Sequence, residues 1–96
     1  MPCTILYHPD IPQKDLPRIP RNVQARPADA LATRLGGSPE KYGRPLCCTL
    51  GGYWKLKVGD YRALFKIVRD EVWVLASLHR RQVYEDALRR VGWQPT

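Results

Sequence analysis

A glycine and an aspartate, Gly59-Asp60, stand between two alternating runs, Tyr53 to Val58 and Tyr61 to Arg69, and no other feature constrains the fold as tightly. Glycine at the first central position supplies the positive φ of a type II′ turn, whose twist matches that of its flanking strands, so the runs are predicted to form a hairpin. A two-residue turn sets the register: Val58 faces Tyr61, Lys57 faces Arg62, Leu56 faces Ala63, Lys55 faces Leu64 and Trp54 faces Phe65. Successive side chains of a strand point to opposite faces. One face is therefore Trp54, Leu56, Val58, Tyr61, Ala63, Phe65 and Ile67, apolar throughout; the other is Tyr53, Lys55, Lys57, Arg62, Leu64, Lys66 and Val68.

Asp70-Glu71 is predicted to turn the chain again, into a strand from Val72 to His79. With those two residues in the turn, Phe65 faces Ala76, Leu64 faces Ser77, Ala63 faces Leu78 and Arg62 faces His79. Val74, Ala76 and Leu78 then extend the apolar face, and His79 joins the basic one. A closing helix is expected from Arg81 to Val91, with Val83, Ala87, Leu88 and Val91 inward, Arg89 and Arg90 near its negative dipole end, and Gly92 just past its end.

The first half reads differently, because eight of the nine prolines precede residue 46. Thr4 to His8 is expected as a short strand ended by Pro9 and Pro12, which cannot donate to a ladder. Asp10 is positioned to cap a short helix running to about Leu16. Pro20 to Leu35 has the apolar spacing of a second helix, interrupted at Pro27, and residues 38 to 52 read as a Gly- and Pro-rich loop.

At 96 residues the chain is the length of one domain. Its longest apolar run, Val72 to Ala76, falls far short of the roughly 20 residues a membrane span needs, and the N-terminus lacks the basic and apolar regions of a secretory signal. A cytoplasmic protein without membrane association is expected. Three cysteines, at 3, 47 and 48, are odd in number and two are adjacent, which excludes a disulfide scaffold and leaves no metal-ligand spacing. No cofactor is expected.

The net charge is +7, of which residues 44–96 carry +5, so a polyanionic partner is indicated. Three strands in the predicted register set Lys57, Arg62 and His79 in one row, with Lys55 one step along and Lys66 further off. A solvated basic sheet face is the ordinary reading of such a cluster. The nearby carboxylates, however, fall at turns (Asp60, Asp70, Glu71) or on the last helix (Glu85, Asp86) and do not compensate the row. Like charges two residues apart on a strand lie roughly 6.6 Å from each other, at a cost of about 2.5 kcal/mol for an effective dielectric of 20 and about 0.6 in water. An incoming phosphate relieves that repulsion. RNA cleavage without metal needs a base for the 2′-hydroxyl, cations for the charged phosphorane and an acid for the leaving 5′-oxygen, and the row supplies candidates for all three. No paired carboxylates are disposed to hold two metal ions. Tyr53 and Tyr84 offer flat faces for stacking an unpaired base, or else pack against the core.

Tyr53-Trp-Lys-Leu-Lys-Val-Gly-Asp-Tyr-Arg62, followed by His79-Arg-Arg-Gln-Val-Tyr84, resembles the RelE/ParE toxin superfamily, and its RelE branch most. The lead-in Pro39 to Leu46 and the opening Ile5 to Pro9 extend the resemblance over nearly the whole chain. It implies an α+β domain, β-α-α-β-β-β-α, with a mainly antiparallel sheet and helices on one face. It also implies an endoribonuclease that enters the ribosomal A site and cuts mRNA there, a cognate antitoxin that blocks it, and contact with operator DNA only through that antitoxin. Residue by residue, Lys55 and Lys57 resemble the family's basic pair, one of them the general base, and Arg62 its phosphate-binding arginine. Arg80 or Arg81 corresponds to the general acid or second phosphate clamp, and Tyr84 to the tyrosine that orients the base. Tyr53, Lys66 and His79 are further candidates for RNA contact, and an imidazole is the side-chain type suited to proton transfer near neutral pH, which makes His79 a candidate for part of the acid–base work too. A ParE-like inhibitor of DNA gyrase without enzymatic activity and an inactive relic that only binds antitoxin are the competing readings. Pro27 and Cys47-Cys48 depart from the family pattern.

Overall fold

The structure is a computed structural model that describes residues 4–20, 33, 43–46 and 50–95. Strand β1 (Thr4–Tyr7) leads into a π-helical turn, Ile11–Asp15, and a short helix α1 (Leu16–Arg18). Then come β2 (Arg44–Pro45), β3 (Trp54–Val58), β4 (Tyr61–Val68), β5 (Glu71–His79) and α2 (Val83–Arg90). The five strands form one sheet in the order β1-β5-β4-β3-β2, with β1 parallel to β5 and the other pairs antiparallel.

The hairpin has the predicted register at every pair from Val58↔Tyr61 to Trp54↔Phe65. Gly59 has φ +61 while Asp60 keeps a negative φ, which is the type II′ pattern. The apolar face is also as expected: Leu56, Ala63 and Phe65 are buried with Val72 and Val74, and Ile11 from the π-helical turn closes over them.

The second turn differs from expectation. Arg69-Asp70, not Asp70-Glu71, occupies it, so Val68 pairs with Glu71 and Phe65 with Val74. A β-bulge then interrupts the ladder at Leu64/Phe65, beyond which Leu64 pairs with Ala76, Ala63 with Ser77, Arg62 with Leu78 and Tyr61 with His79. One extra residue reverses the alternation of everything after it. Ala76 and Leu78, expected on the apolar face, therefore turn to the opposite one, and His79 leaves the row of Arg62.

That switch builds a second core. Leu64, Ala76 and Leu78 join Tyr53, Leu50 and the bulge residue Leu75 beneath Val83 and Ala87 of α2. The predicted helix is two residues shorter at its start, and its stripe is corrected: Leu88 and Val91 are 49% and 40% exposed, whereas Asp86 and Arg90 face inward. Gly92, φ +93, follows the helix as expected, and its amide donates to the Tyr53 hydroxyl.

Charged groups tie the helical ends to β5. The fully buried Asp15 carboxylate accepts from the Ser77 amide and from both terminal nitrogens of Arg90, which also donates to the Leu75 carbonyl. Asp86 binds Arg18 and Arg89, and although burial works against its charged form, these two arginines hold its carboxyl below the ordinary value.

The first helical segment also departs from a capped α-helix. Asp10 makes no capping bond; instead its amide donates to His8 Nδ1 at 3.0 Å. Pro12 and Pro17 have no amide hydrogen for a regular ladder, and α1 gives way to extended backbone at Ile19, the residue before Pro20. The predicted helix from Pro20 to Leu35 with its interruption at Pro27, and Cys47-Cys48, lie outside the described residues.

Candidate functional site

Paired residues of an antiparallel ladder share a face, which places Lys57 beside Arg62, and Lys55 one row along with Leu64 on one side and Arg44 on the other. Arg44 is a cation that sequence reasoning missed. A two-residue strand ending in proline carries no alternation signal, and only its pairing with Lys55 reveals it.

The centre of this face is not the open basic surface anticipated from alternation alone. Tyr53 and Leu64 sit in the second core, and α2 covers them. The cations are consequently arranged at the margin of a buried apolar patch, with Lys57 and Arg44 exposed and Lys55, Arg62 and Lys66 half-buried.

This packing fixes where two of the predicted RNA contacts sit. Tyr53 is 6% exposed, its ring faces Lys66 at 5.8 Å and its hydroxyl accepts from the Gly92 amide, so it takes the core-packing role. His79 pairs with Tyr61 rather than Arg62 and lies edge-on to the Tyr61 ring at 5.7 Å, on the face away from the cationic row. Lys66 belongs to the basic face as expected, four residues along β4 from Arg62 and thus roughly 13 Å away.

Arg62 is held in place by its own hairpin. One terminal nitrogen donates to the carbonyls of Gly59 at 2.8 Å and Tyr61 at 2.9 Å. Backbone carbonyls orient the guanidinium without cancelling its charge, as a carboxylate would, and the rest of its donor fork remains for a phosphate. The same turn anchors the segment that leaves β5, because the Arg80 amide donates to the Asp60 carbonyl at 2.9 Å. Arg80 and Arg81 are both exposed there. Tyr84, on the first turn of α2, is half-buried against the second core and so lies on the same side of the sheet as Lys57 and Arg62.

Hence Lys55, Lys57, Arg62 and Tyr84 share one side of the molecule, with the Arg80-Arg81 backbone fixed at its edge. Among the described residues, the ion pairs of Asp10, Asp15, Glu85 and Asp86 are formed with Lys14, Arg18, Arg89 and Arg90, away from β3 and β4. Such an arrangement can bind a phosphodiester through several cations and offers amine and guanidinium groups for proton transfer and charge stabilisation.

Comparison with known proteins agrees with this architecture. The RelBE2 toxin–antitoxin complex of Mycobacterium tuberculosis contains a chain similar to this one, with a TM-score of 0.76 and 27% identity over 83% of this chain and 93% of that one. An arginine double variant of the Escherichia coli toxin RelE in its free state shares the fold, with a TM-score of 0.70 and 17% identity over 95% and 99% of the two chains. No curated protein sequence matches the chain. Among the described residues no helix is long and apolar enough to cross a membrane. Residues 5–84 match the family described as ParE toxin of type II toxin-antitoxin system, parDE, and the chain therefore belongs to this toxin family, within the RelE/ParE superfamily.

Proposed function

We propose that this toxin is a ribosome-dependent endoribonuclease that cleaves mRNA without a metal ion and so inhibits translation. The observation that carries the reading is the Lys57–Arg62 cross-strand pair on a hairpin whose turn also anchors Arg80. Lys55 or Lys57 takes the proton of the 2′-hydroxyl as its oxygen attacks the adjacent phosphorus. Arg62 and one of Arg80 and Arg81 stabilise the charge that gathers on the phosphoryl oxygens, and the bond to the 5′-oxygen breaks as that oxygen gains a proton from the other arginine. The products are a 2′,3′-cyclic phosphate and a 5′-hydroxyl. Tyr84 orients the base, and Lys66 guides the flanking strand at longer range.

A cognate antitoxin encoded beside the toxin is its partner, with operator DNA contacted only through that protein. This follows the RelBE2 chain, which is part of a toxin–antitoxin complex. The site of action is the cytoplasm, where the ribosome and its message are found.

A second reading has its own support, because the matching family model is that of ParE toxins. On that reading the chain binds DNA gyrase and cleaves nothing. Mapping mRNA 5′ ends in a bacterial translation extract, with and without the purified protein and with Arg62→Ala as control, separates the two. Codon-registered cuts bearing 5′-hydroxyl ends, lost in the control, are expected. Intact messages beside arrested growth would select the gyrase reading, and intact messages with normal growth the antitoxin-binding relic.

A further inference from the structure

The segment between β5 and α2 is tied down at successive residues. The Arg80 amide donates to the Asp60 carbonyl of the hairpin turn at 2.9 Å, and the Arg81 amide donates to His79 Nδ1 at 3.2 Å. The Gln82 amide then donates to the His79 carbonyl at 2.9 Å. The His79 ring is itself fixed, edge-on to Tyr61 at an interplanar angle of 84°.

Nδ1 can accept the Arg81 amide only if it carries no hydrogen, which places the ring hydrogen on Nε2. The ring also lies on the sheet face opposite Arg62. Its position suits it to shape the backbone at Arg81 and does not suit it to exchange protons beside Arg62.

We propose that His79 is a positioning residue, whose Nδ1 holds the Arg81 backbone so that the Arg80-Arg81 pair is presented beside Arg62 on the Gly59-Asp60 turn. The proposal rests on the reading of Arg62, Arg80 and Arg81 as phosphate ligands. It adds a second tether to the one that Asp60 provides, and together they fix the pair relative to the guanidinium held by Gly59.

Two substitutions separate the acceptor from the ring. His79→Asn keeps an acceptor at the δ position, able to take the amide two residues on, and removes the ring. His79→Phe keeps an aromatic edge against Tyr61 and removes the acceptor; His79→Leu replaces it if that variant does not fold. Cleavage in the translation extract is expected to fall about tenfold in His79→Phe and to stay within about twofold of wild type in His79→Asn. Loss in both variants would assign the imidazole itself to the chemistry, loss in His79→Asn alone would assign the ring to packing, and loss in neither would leave the tether without effect; each overturns the proposal. Exchange of the Arg81 amide, followed by nuclear magnetic resonance, is expected to be slow in wild type and His79→Asn and fast in His79→Phe, and equal rates in all three would overturn it. If wild type cuts no message, the ribonuclease reading fails, and the amide exchange alone decides whether His79 positions Arg81.

Discussion

Arg90 meets Asp15 through paired hydrogen bonds of 2.9 Å, across 75 residues of sequence, and joins the C-terminal helix to the first helical turn beside the bulge of β5. Both side chains are almost wholly withdrawn from water, at 8% and 0% exposure. The remaining lone pairs and protons are largely accounted for by the Ser77 amide and the Leu75 carbonyl.

Asp15→Ala leaves the Arg90 charge buried without its partner, and the loss is expected to be about 3–5 kcal/mol in urea denaturation. Asp15→Leu combined with Arg90→Met removes both charges and is expected to lose much less. A double variant as unstable as the single one would show that the ion pair itself, and not the stranded charge, carries the stability.

His8 provides a pH dependence. Burial, joined by the positive charge of Arg90, holds its pKa below the ordinary 6.5, and its Nδ1 must stay unprotonated to accept the Asp10 amide. A group whose folded pKa is lowered contributes stability above its unfolded pKa and loses it as pH falls towards the folded one. The denaturation midpoint is therefore expected to drop between pH 7.5 and pH 5.5. In His8→Asn, which retains an acceptor but does not titrate, that part of the drop should vanish; an unchanged pH dependence would mean that another group is responsible.

Arg69 occupies the turn between β4 and β5 with φ +58, a left-handed conformation unfavourable for a residue with a Cβ. Arg69→Gly relieves this while giving up some unfolded-state entropy, for an expected net gain of about 0.5–1 kcal/mol. A lower melting temperature in this variant would mean that the arginine side chain makes a compensating contribution.

The arrangement of the basic face predicts an ordering of activities. Arg62→Ala is expected to reduce mRNA cleavage by about 100-fold or more, as for the loss of a transition-state donor, and Lys66→Ala by only a few-fold. Equal losses would place the reacting phosphate between them, away from the Lys57–Arg62 row. Raising salt from about 50 to about 200 mM should weaken association with the ribosome steeply if several phosphates are contacted, and a flat response would argue against nucleic acid.

The cationic part of the site was legible because a strand's alternation is local. Once Gly59-Asp60 is a turn, Lys55, Lys57 and Arg62 must share a face, and they do. His79 was misplaced because its face depends on the bulge at Leu64/Phe65, which nothing in the local sequence signals. Tyr53 lies on the face that alternation gave it, but which of its two roles, stacking or packing, it takes up was not legible, because its burial comes from α2 and Gly92, which only the folded chain brings to it.

What the amino-acid sequence determined by itself is the hairpin, with its turn type and register, and the apolar face that follows from them, since these depend on backbone geometry within a few residues of Gly59. Tertiary structure decided the rest. The bulge at Leu64/Phe65 exists where Leu75, Ala76 and Leu78 can be buried beneath α2, and α2 is held there by Asp15, so the face that His79 and Leu78 adopt is set by burial and ion pairing between segments far apart in the chain.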